Sequence, residues 1–168
     1  HQFARSVVQN HRGRIPQEYD SLIALPGIGR YTANALLSAA FGKQLPIVDV
    51  NVQRVLSRLF SRMKSTTEMR PANMIWHVAK EILPKEKAYD WNQALMDLGA
   101  LVCTSRNPKC ESCPVAPFCS SRTTMKRASV VRAKREPSLN GIPNRMYRGK
   151  IIERLRRLNG TQSIRVDV

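Results

Sequence analysis

A carboxylate and an amide two residues apart are the first candidates for chemistry in this sequence. Asp49 follows the apolar run 46–48 and precedes a segment, starting at Val52, whose apolar residues have helical spacing. Asp49 therefore lies at or near a helix N-cap. Capping alone explains an aspartate there, but a carboxylate held at a fixed point can also stabilise positive charge in a reacting group. Asn51 either belongs to the first helical turn or hydrogen-bonds Asp49 and favours its charged form.

A glycine turn, Leu25-Pro26-Gly27-Ile28-Gly29, precedes Asp49 by about 20 residues. A proline and two glycines in five positions permit a tight turn with positive φ angles. Because Arg30 and a helix start follow, backbone N–H groups and the helix dipole can bind a phosphate there without reading any base. Gly27, Gly29 and Arg30 are therefore candidate nucleic-acid contacts, although a lone G-x-G turn is a weak signal.

All four cysteines of the chain are clustered, with the spacing C-x6-C-x2-C-x5-C. They are Cys103, Cys110, Cys113 and Cys119. This clustering argues against a disulfide framework and favours a metal, and the spacing alone fits zinc and an iron–sulfur cluster equally. Four protein ligands leave no open position for water, so the role would be structural or redox-tuning. Arg106 and Lys109, inside the first loop, are placed to touch phosphate, and ordinary solvent exposure explains them equally well.

The elements that carry these residues are predicted to be helices, because apolar residues repeat with helical period and no segment alternates with period two. The predicted helices cover residues 3–10, 18–24, 31–41, 51–63, 72–83 and 91–102. Gly42 is predicted to end the third of them. The fold class is therefore all-α. Arg54, Arg58 and Arg62 form a row on one helix, which either lines DNA or is a solvated face.

Charge indicates the partner. The 168 residues include 28 Lys and Arg against 12 Asp and Glu, a net charge of +16, which favours a polyanion and above all nucleic acid. A membrane surface would also attract this charge, but no long apolar run or signal-like segment is present. We expect a soluble, intracellular monomer of the cytoplasm or nucleoid. The start at His1, inside a predicted helix, leads us to expect a missing N-terminal part.

The tail, residues 122–168, carries arginine and lysine throughout. Residues 122–144 are predicted to be a linker, because Pro137, Gly141 and Pro143 argue against a continuous helix. Tyr147 to Leu158 can form a basic helix. It would dock on the core, rest on phosphate or simply be solvated.

The motifs LPGIGRYTA and VDVNVQRVL resemble those of the helix-hairpin-helix DNA glycosylases, which remove bases from duplex DNA and include endonuclease III. The resemblance covers residues 1 to about 120. It implies an N-terminally incomplete glycosylase fold, with glycosylase helices in 1–102, a cluster loop in 103–121 and a basic extension in 122–168. It also implies that Asp49 is the catalytic carboxylate, which stabilises charge on the sugar of a flipped nucleotide. Asn51 matches the Asp-x-Asn pattern of the family.

The same resemblance bears on the cysteines. The segment MDLGALVC, followed by this cysteine spacing, is similar to the cluster motif of the endonuclease III and adenine glycosylase group. It implies a [4Fe–4S] cluster rather than zinc.

One position separates the subfamilies. Bifunctional enzymes resembling endonuclease III carry a lysine after G-x-G-R that forms a Schiff base with the sugar, whereas this sequence has Tyr31, so efficient β-lyase chemistry is not expected. Tyr31, VLSRLF and GALVC look most like adenine DNA glycosylases of the MutY type, which act on adenine opposite guanine or 8-oxoguanine. Archaeal glycosylases that remove thymine or uracil from mispairs with guanine also carry this tyrosine and are the nearest alternative, ahead of an endonuclease III-like enzyme. Val50, where adenine enzymes usually have glycine, weakens the adenine assignment.

Two features of the adenine enzymes have no counterpart in the sequence. They take a glutamate from an early helix as general acid, and a chain that starts at His1 is expected to be nearly inactive without it. They also often carry a C-terminal domain that recognises 8-oxoguanine, and nothing after Cys119 has its length or β pattern. The alternative from a different class is a non-enzymatic DNA-binding module with a structural four-cysteine zinc site.

Overall fold

A computed structural model of the chain describes residues 1–64, 68–124, 138–139, 142–143, 146–147, 149–150 and 153. The chain divides into two compact units, His1–Ser129 and Val130–Val168. The described part of the first unit contains helices and no strands, as the sequence predicts. Its six α-helices are α1 (Gln2–His11), α2 (Tyr19–Ile23), α3 (Arg30–Phe41), α4 (Val50–Phe60), α5 (Ala72–Glu81) and α6 (Ala88–Asp97). A π-helical turn (Leu98–Val102) and two 3-10 turns (Cys110–Ser112 and Ala116–Phe118) follow α6.

The predicted helices are all present, and α3 ends as expected at Gly42, whose φ is +66°. Helix α6 differs at both ends. It begins at Ala88, before the predicted start at Trp91, and Ala88 is buried, so the apolar face extends by one turn. After Asp97 the chain continues as the π turn rather than as α-helix. Apolar spacing does not distinguish these two conformations over a single turn.

Helix α4 is shorter than predicted, because a hydroxyl far along the chain binds the residues that follow it. Ser61 is extended, with φ −135° and ψ 136°, although Met63 is fully buried. The Ser121 hydroxyl accepts a hydrogen bond from the Met63 N–H at 2.8 Å and donates one to the Ser61 carbonyl at 2.6 Å. These bonds replace the helical bonds that the extended segment forgoes.

Two apolar clusters form the core of the first unit. One lies among α4, α5 and α6 and includes Val48, directly before Asp49. The other lies among α1, α2 and α3 and includes Leu25 of the glycine turn. Each candidate functional segment is therefore anchored in a buried cluster by an adjacent apolar side chain.

In the second unit, strand β1 (Ser138–Leu139) pairs antiparallel with strand β2 (Ile142–Pro143). This hairpin lies within residues 122–144, which are predicted to be a linker. Residues 146–147, 149–150 and 153 are helical, as the predicted basic helix requires where it is described. Several basic residues of the tail lie outside the described part, namely Lys126, Arg127, Lys134, Arg135, Arg154, Arg156 and Arg157. Among the described residues, no helix is long and apolar enough to cross a membrane.

Candidate functional site

Asp49 is the N-cap of α4, and both of its carboxylate oxygens accept hydrogen bonds. Oδ1 accepts from the Val52 backbone N–H at 2.7 Å, and Oδ2 accepts from the Asn51 side-chain amide at 3.0 Å. The predicted cap and the predicted Asn51 bond are thus both present. Asp49 is half-buried, and the two bonds fix the orientation of its carboxylate.

Two buried asparagines hold the segment that leads to Asp49. Asn92 of α6 accepts from the Ile47 N–H at 3.0 Å and donates to the Leu45 carbonyl at 2.9 Å. Asn34 of α3 donates to the Pro46 carbonyl at 2.8 Å. Neither asparagine is among the residues predicted from the sequence. The sequence did contain a signal for them. Each asparagine occupies a helix position at which the helical spacing of the apolar residues predicts an apolar side chain.

Arg54 continues the network from Asp49 towards the cysteines. Its Nη2 donates to Asn51 Oδ1 at 2.8 Å and to the Gly99 carbonyl at 2.6 Å, and its Nε donates to the Cys103 carbonyl at 2.8 Å. Burial lowers the pKa of Arg54, as does Arg58 nearby, while Cys103 and Asp49 act in the opposite direction. A chain of hydrogen bonds therefore runs from Asp49 through Asn51 and Arg54 to the first cysteine.

Arg58 binds the start of the cysteine loop. It is 1% exposed and donates to the carbonyls of Thr104 at 2.7 Å and Ser105 at 2.9 Å, and to Cys103 Sγ at 3.4 Å. The expectation that the arginine row lines DNA or forms a solvated face is wrong for Arg54 and Arg58, because both are buried and bind carbonyls. Arg62 alone of the three is exposed.

The four cysteines line one cavity, together with Arg58 and the apolar side chains of Val102, Pro108 and Ala116. All four are half-buried and none forms a disulfide. Burial raises the pKa of the Cys110 thiol, and the other three cysteines raise it further. Arg58 opposes this effect.

The four thiols fit an iron–sulfur cluster by their chemistry, because such clusters are held by four cysteine thiolates. All four line one cavity, and none is used in a disulfide.

One of the two glycines in the glycine turn adopts the positive φ angle that the composition predicts. Gly27 has a φ of +79°, whereas Gly29 is extended and caps α3. The Arg30 guanidinium lies 4.1 Å from the centre of the Trp76 ring, a cation–π contact that the sequence did not indicate. Tyr31 is 44% exposed on the first turn of α3, one turn before Asn34 and its bond to the segment of Asp49. Arg106 and Lys109 are exposed on the cysteine loop.

Two family models match the chain. The helix-hairpin-helix motif matches residues 10–39, and the iron–sulfur binding domain of endonuclease III matches residues 103–119, which contain all four cysteines. The predicted [4Fe–4S] cofactor is thereby confirmed over zinc. The matches give no support to a non-enzymatic zinc module.

Relatives and solved structures agree with these models. The chain is 37% identical to an adenine DNA glycosylase of Homo sapiens over 84% of the chain and 26% of that relative. It is 36% identical to a thymine/uracil-DNA glycosylase of Methanothermobacter thermautotrophicus over 71% of the chain and 53% of that relative. A thermostable thymine-DNA glycosylase superposes with a TM-score of 0.66 at 36% identity, over 72% of this chain and 55% of that one. A trapped endonuclease III–DNA covalent intermediate superposes with a TM-score of 0.61 at 31% identity, over 70% of this chain and 54% of that one.

These relatives are longer than this chain. It spans 26% of the human adenine DNA glycosylase and 53% of the archaeal thymine/uracil-DNA glycosylase.

Proposed function

The chain belongs to the helix-hairpin-helix DNA glycosylase superfamily, and from this premise we propose that it hydrolyses the N-glycosidic bond of a mispaired adenine in duplex DNA. One observation carries the proposal. Asp49 is a half-buried carboxylate whose two oxygens are fixed by the Val52 N–H and the Asn51 amide at the start of α4.

The chemistry requires such a group. A base inside a duplex is out of reach, so the nucleotide is flipped into a pocket at a cost of about a few kcal/mol. As the bond from C1′ to the base nitrogen breaks, positive charge develops on the sugar, and the Asp49 carboxylate stabilises it. A water oxygen then bonds to C1′, and one water proton replaces the broken bond on the base. Because Asn51 and the helix turn hold Asp49 in place, little reorganisation accompanies the step.

Tyr31 defines the kind of glycosylase. A phenol at this position cannot form the Schiff base that a lysine would form, so the reaction ends at base release and leaves the DNA backbone intact. Adenine DNA glycosylases of animals, a plant, a yeast and bacteria are 33% to 40% identical to this chain, which supports adenine as the substrate.

In this proposal, two segments of the chain contact the phosphate backbone of the DNA. Gly27, Gly29 and Arg30 bring a turn and the N-terminus of α3 to a phosphate, and Arg106 and Lys109 offer two exposed cations on the cysteine loop. Contacts of this kind position the enzyme without reading sequence.

The four cysteines would hold the [4Fe–4S] cluster, which supplies structural cross-linking and redox chemistry but no open coordination site for water. Around it, Arg58 and Arg54 bind the backbone from Cys103 to Ser105. The loop that carries Arg106 is thereby attached to the same helix that carries Asp49.

The test measures single-turnover release of adenine by the full-length gene product from a duplex with adenine opposite 8-oxoguanine. Asp49→Asn is expected to slow release by at least about 10²- to 10³-fold while the Kd for the duplex stays the same. Asp90→Asn, an exposed aspartate on α6, is the matched control and should leave the rate unchanged. A rate that survives Asp49→Asn would refute the assigned role.

Removal of thymine or uracil opposite guanine is the second candidate. It is supported by the archaeal relative and by Val50, which is 60% exposed beside Asp49 where adenine enzymes usually have glycine. Duplexes with adenine·8-oxoguanine, thymine·guanine and uracil·guanine pairs are to be compared under the same conditions. Faster release from the second or third duplex would assign the chain to the pyrimidine-removing enzymes.

A further inference from the structure

Gly99 packs so closely against the first turn of α4 that any residue with a Cβ would clash there. A Cβ added to this glycine would stand 2.8 Å from Asn51 Cβ, 3.1 Å from the Asn51 carbonyl oxygen and 3.2 Å from the Asn51 carbonyl carbon. Real Cβ atoms do not approach other atoms to 2.8 Å, and the atoms met here belong to the backbone and to the root of a side chain. Neither can rotate away, so the main chain itself would have to move.

The π turn presents Gly99 to α4 in a second way. The Gly99 carbonyl accepts from Arg54 Nη2 at 2.6 Å, and the same nitrogen donates to Asn51 Oδ1 at 2.8 Å. Asn51 is thus in contact with Gly99 directly and is also joined to it through Arg54. Insertions of this helical type are frequent at functional sites.

We propose that Gly99 is a positioning residue for Asp49, acting through Asn51. Because glycine has no side chain, the π turn can pack directly against Asn51, and the Asn51 amide then donates to Asp49 Oδ2 at 3.0 Å. A methyl group at residue 99 displaces Asn51 and turns the carboxylate away from the sugar. A misplacement of about 1 Å can slow a reaction by about 10²-fold. The proposal rests on the function proposed above, in which Asp49 acts on the sugar.

A double-mutant cycle in the full-length gene product tests this route. Gly99→Ala is expected to slow single-turnover base release by about 10- to 10²-fold with an unchanged Kd for the duplex. Asn51→Gly removes the atom at 2.8 Å and leaves only the carbonyl contacts at 3.1 and 3.2 Å, so adding Gly99→Ala to it should cause a much smaller further loss. Equal slowing by Gly99→Ala in both backgrounds would overturn the proposal, because a packing defect that does not act through Asn51 gives additive effects. Gly149→Ala, at a glycine with open space around it, is the matched control.

If a variant folds poorly, its cluster absorbance and its folded fraction can be measured instead of its rate of base release. If Gly99→Ala loses its cluster absorbance or its folded state, the double variant with Asn51→Gly should recover much of both, because the closest contact, at 2.8 Å, is gone. Failure to fold in both backgrounds would contradict the proposal.

A third measurement separates this proposal from the function. In NMR spectra, the Asn51 side-chain amide of the wild type should exchange slowly with solvent, and Gly99→Ala should abolish this protection while Gly149→Ala preserves it. Protection that survives Gly99→Ala overturns the positioning role, whatever the enzyme releases. Loss of protection in a protein that releases no base from any of the three duplexes would reject the function and keep the geometry.

Discussion

Asp49 uses its two oxygens for different bonds, and this division explains how one residue can cap a helix and do chemistry. The bond from Val52 fixes Oδ1 as a cap, and the bond from Asn51 fixes Oδ2 from the side. Capping contributes about 1 kcal/mol to helix stability. The same bond restricts the carboxylate to one orientation, which a group that stabilises transient charge requires.

Arg54 provides a prediction about stability at the scale of one side chain. Lysine keeps the charge but cannot reach Asn51, Gly99 and Cys103 together, because it lacks the planar fork of donors. Arg54→Lys is therefore expected to lower the free energy of unfolding by about 2 to 4 kcal/mol, since buried acceptors lose their donors. Urea unfolding measures the change, and Arg62→Lys, at an exposed arginine eight residues further along the chain, should shift it by less than about 0.5 kcal/mol. Equal effects of the two variants would contradict the buried role.

Arg30 either contacts a DNA phosphate or only stacks on Trp76, and the salt dependence of DNA binding distinguishes these two roles. If it contacts a phosphate, Arg30→Gln weakens binding to matched and mismatched duplexes alike and reduces the slope of log Kd against log salt concentration by about 1. If it only stacks on Trp76, the slope stays the same and stability falls by about 1 kcal/mol. We expect the first result. Arg14→Gln, an exposed arginine before the glycine turn, serves as the control and should leave the slope unchanged.

At the scale of elements, α4 joins the two candidate centres. Its 11 residues span about 16 Å, with Asp49 at its N-terminus and Arg58 in its last turn bound to the cysteine loop. The segment after the last cysteine returns to the same helix end, since the N–H groups of Ser120 and Ser121 donate to the carbonyls of Leu59 and Arg58. Loss of order in the cysteine loop would therefore loosen the helix that presents Asp49.

Ser121 tests this attachment. Its hydroxyl is fully buried between Ser61 and Met63, so Ser121→Ala leaves a buried N–H and a buried carbonyl without partners. The expected cost is about 2 to 3 kcal/mol of unfolding free energy, together with faster loss of the iron–sulfur absorbance in the presence of a chelator. Ser120→Ala, one residue earlier and exposed, should change neither quantity. A Ser121→Ala protein that keeps its cluster as long as the wild type would show that the attachment does not stabilise the loop.

The sequence predicted the helices, the cap and the cysteine cluster because each leaves a local signal. It did not predict the burial of Arg54 and Arg58, since a row of arginines with helical spacing looks the same on a solvated face as against carbonyls of another segment. Nor did it predict where α4 ends, because the hydroxyl that ends it lies 58 residues after Met63. The close approach of Gly99 to Asn51 depends likewise on the packing of two elements distant in sequence.

At the scale of the whole molecule, charge is unevenly distributed along the chain. Residues 122–168 contain 13 Lys and Arg against 3 Asp and Glu, and so contribute +10 of the net charge of +16. Residues 1–121, which include the candidate site, contribute the other +6. Affinity for DNA and the chemistry at Asp49 can therefore be altered separately.

Replacing Lys126, Arg127, Lys134 and Arg135 with glutamine tests this separation. If these cations neutralise phosphates, the slope of log Kd against log salt concentration should fall by about 0.9 for each phosphate that is no longer neutralised, so by as much as about 4. The rate of base release at saturating enzyme should stay the same, because the catalytic residues proposed here are unaltered. The matched control removes four charges from exposed lysines among residues 1–121, namely Lys64, Lys80, Lys85 and Lys87. An equal change of slope in both variants would mean that net charge alone sets the affinity, and an unchanged slope in the tail variant would mean that these four residues do not neutralise phosphates.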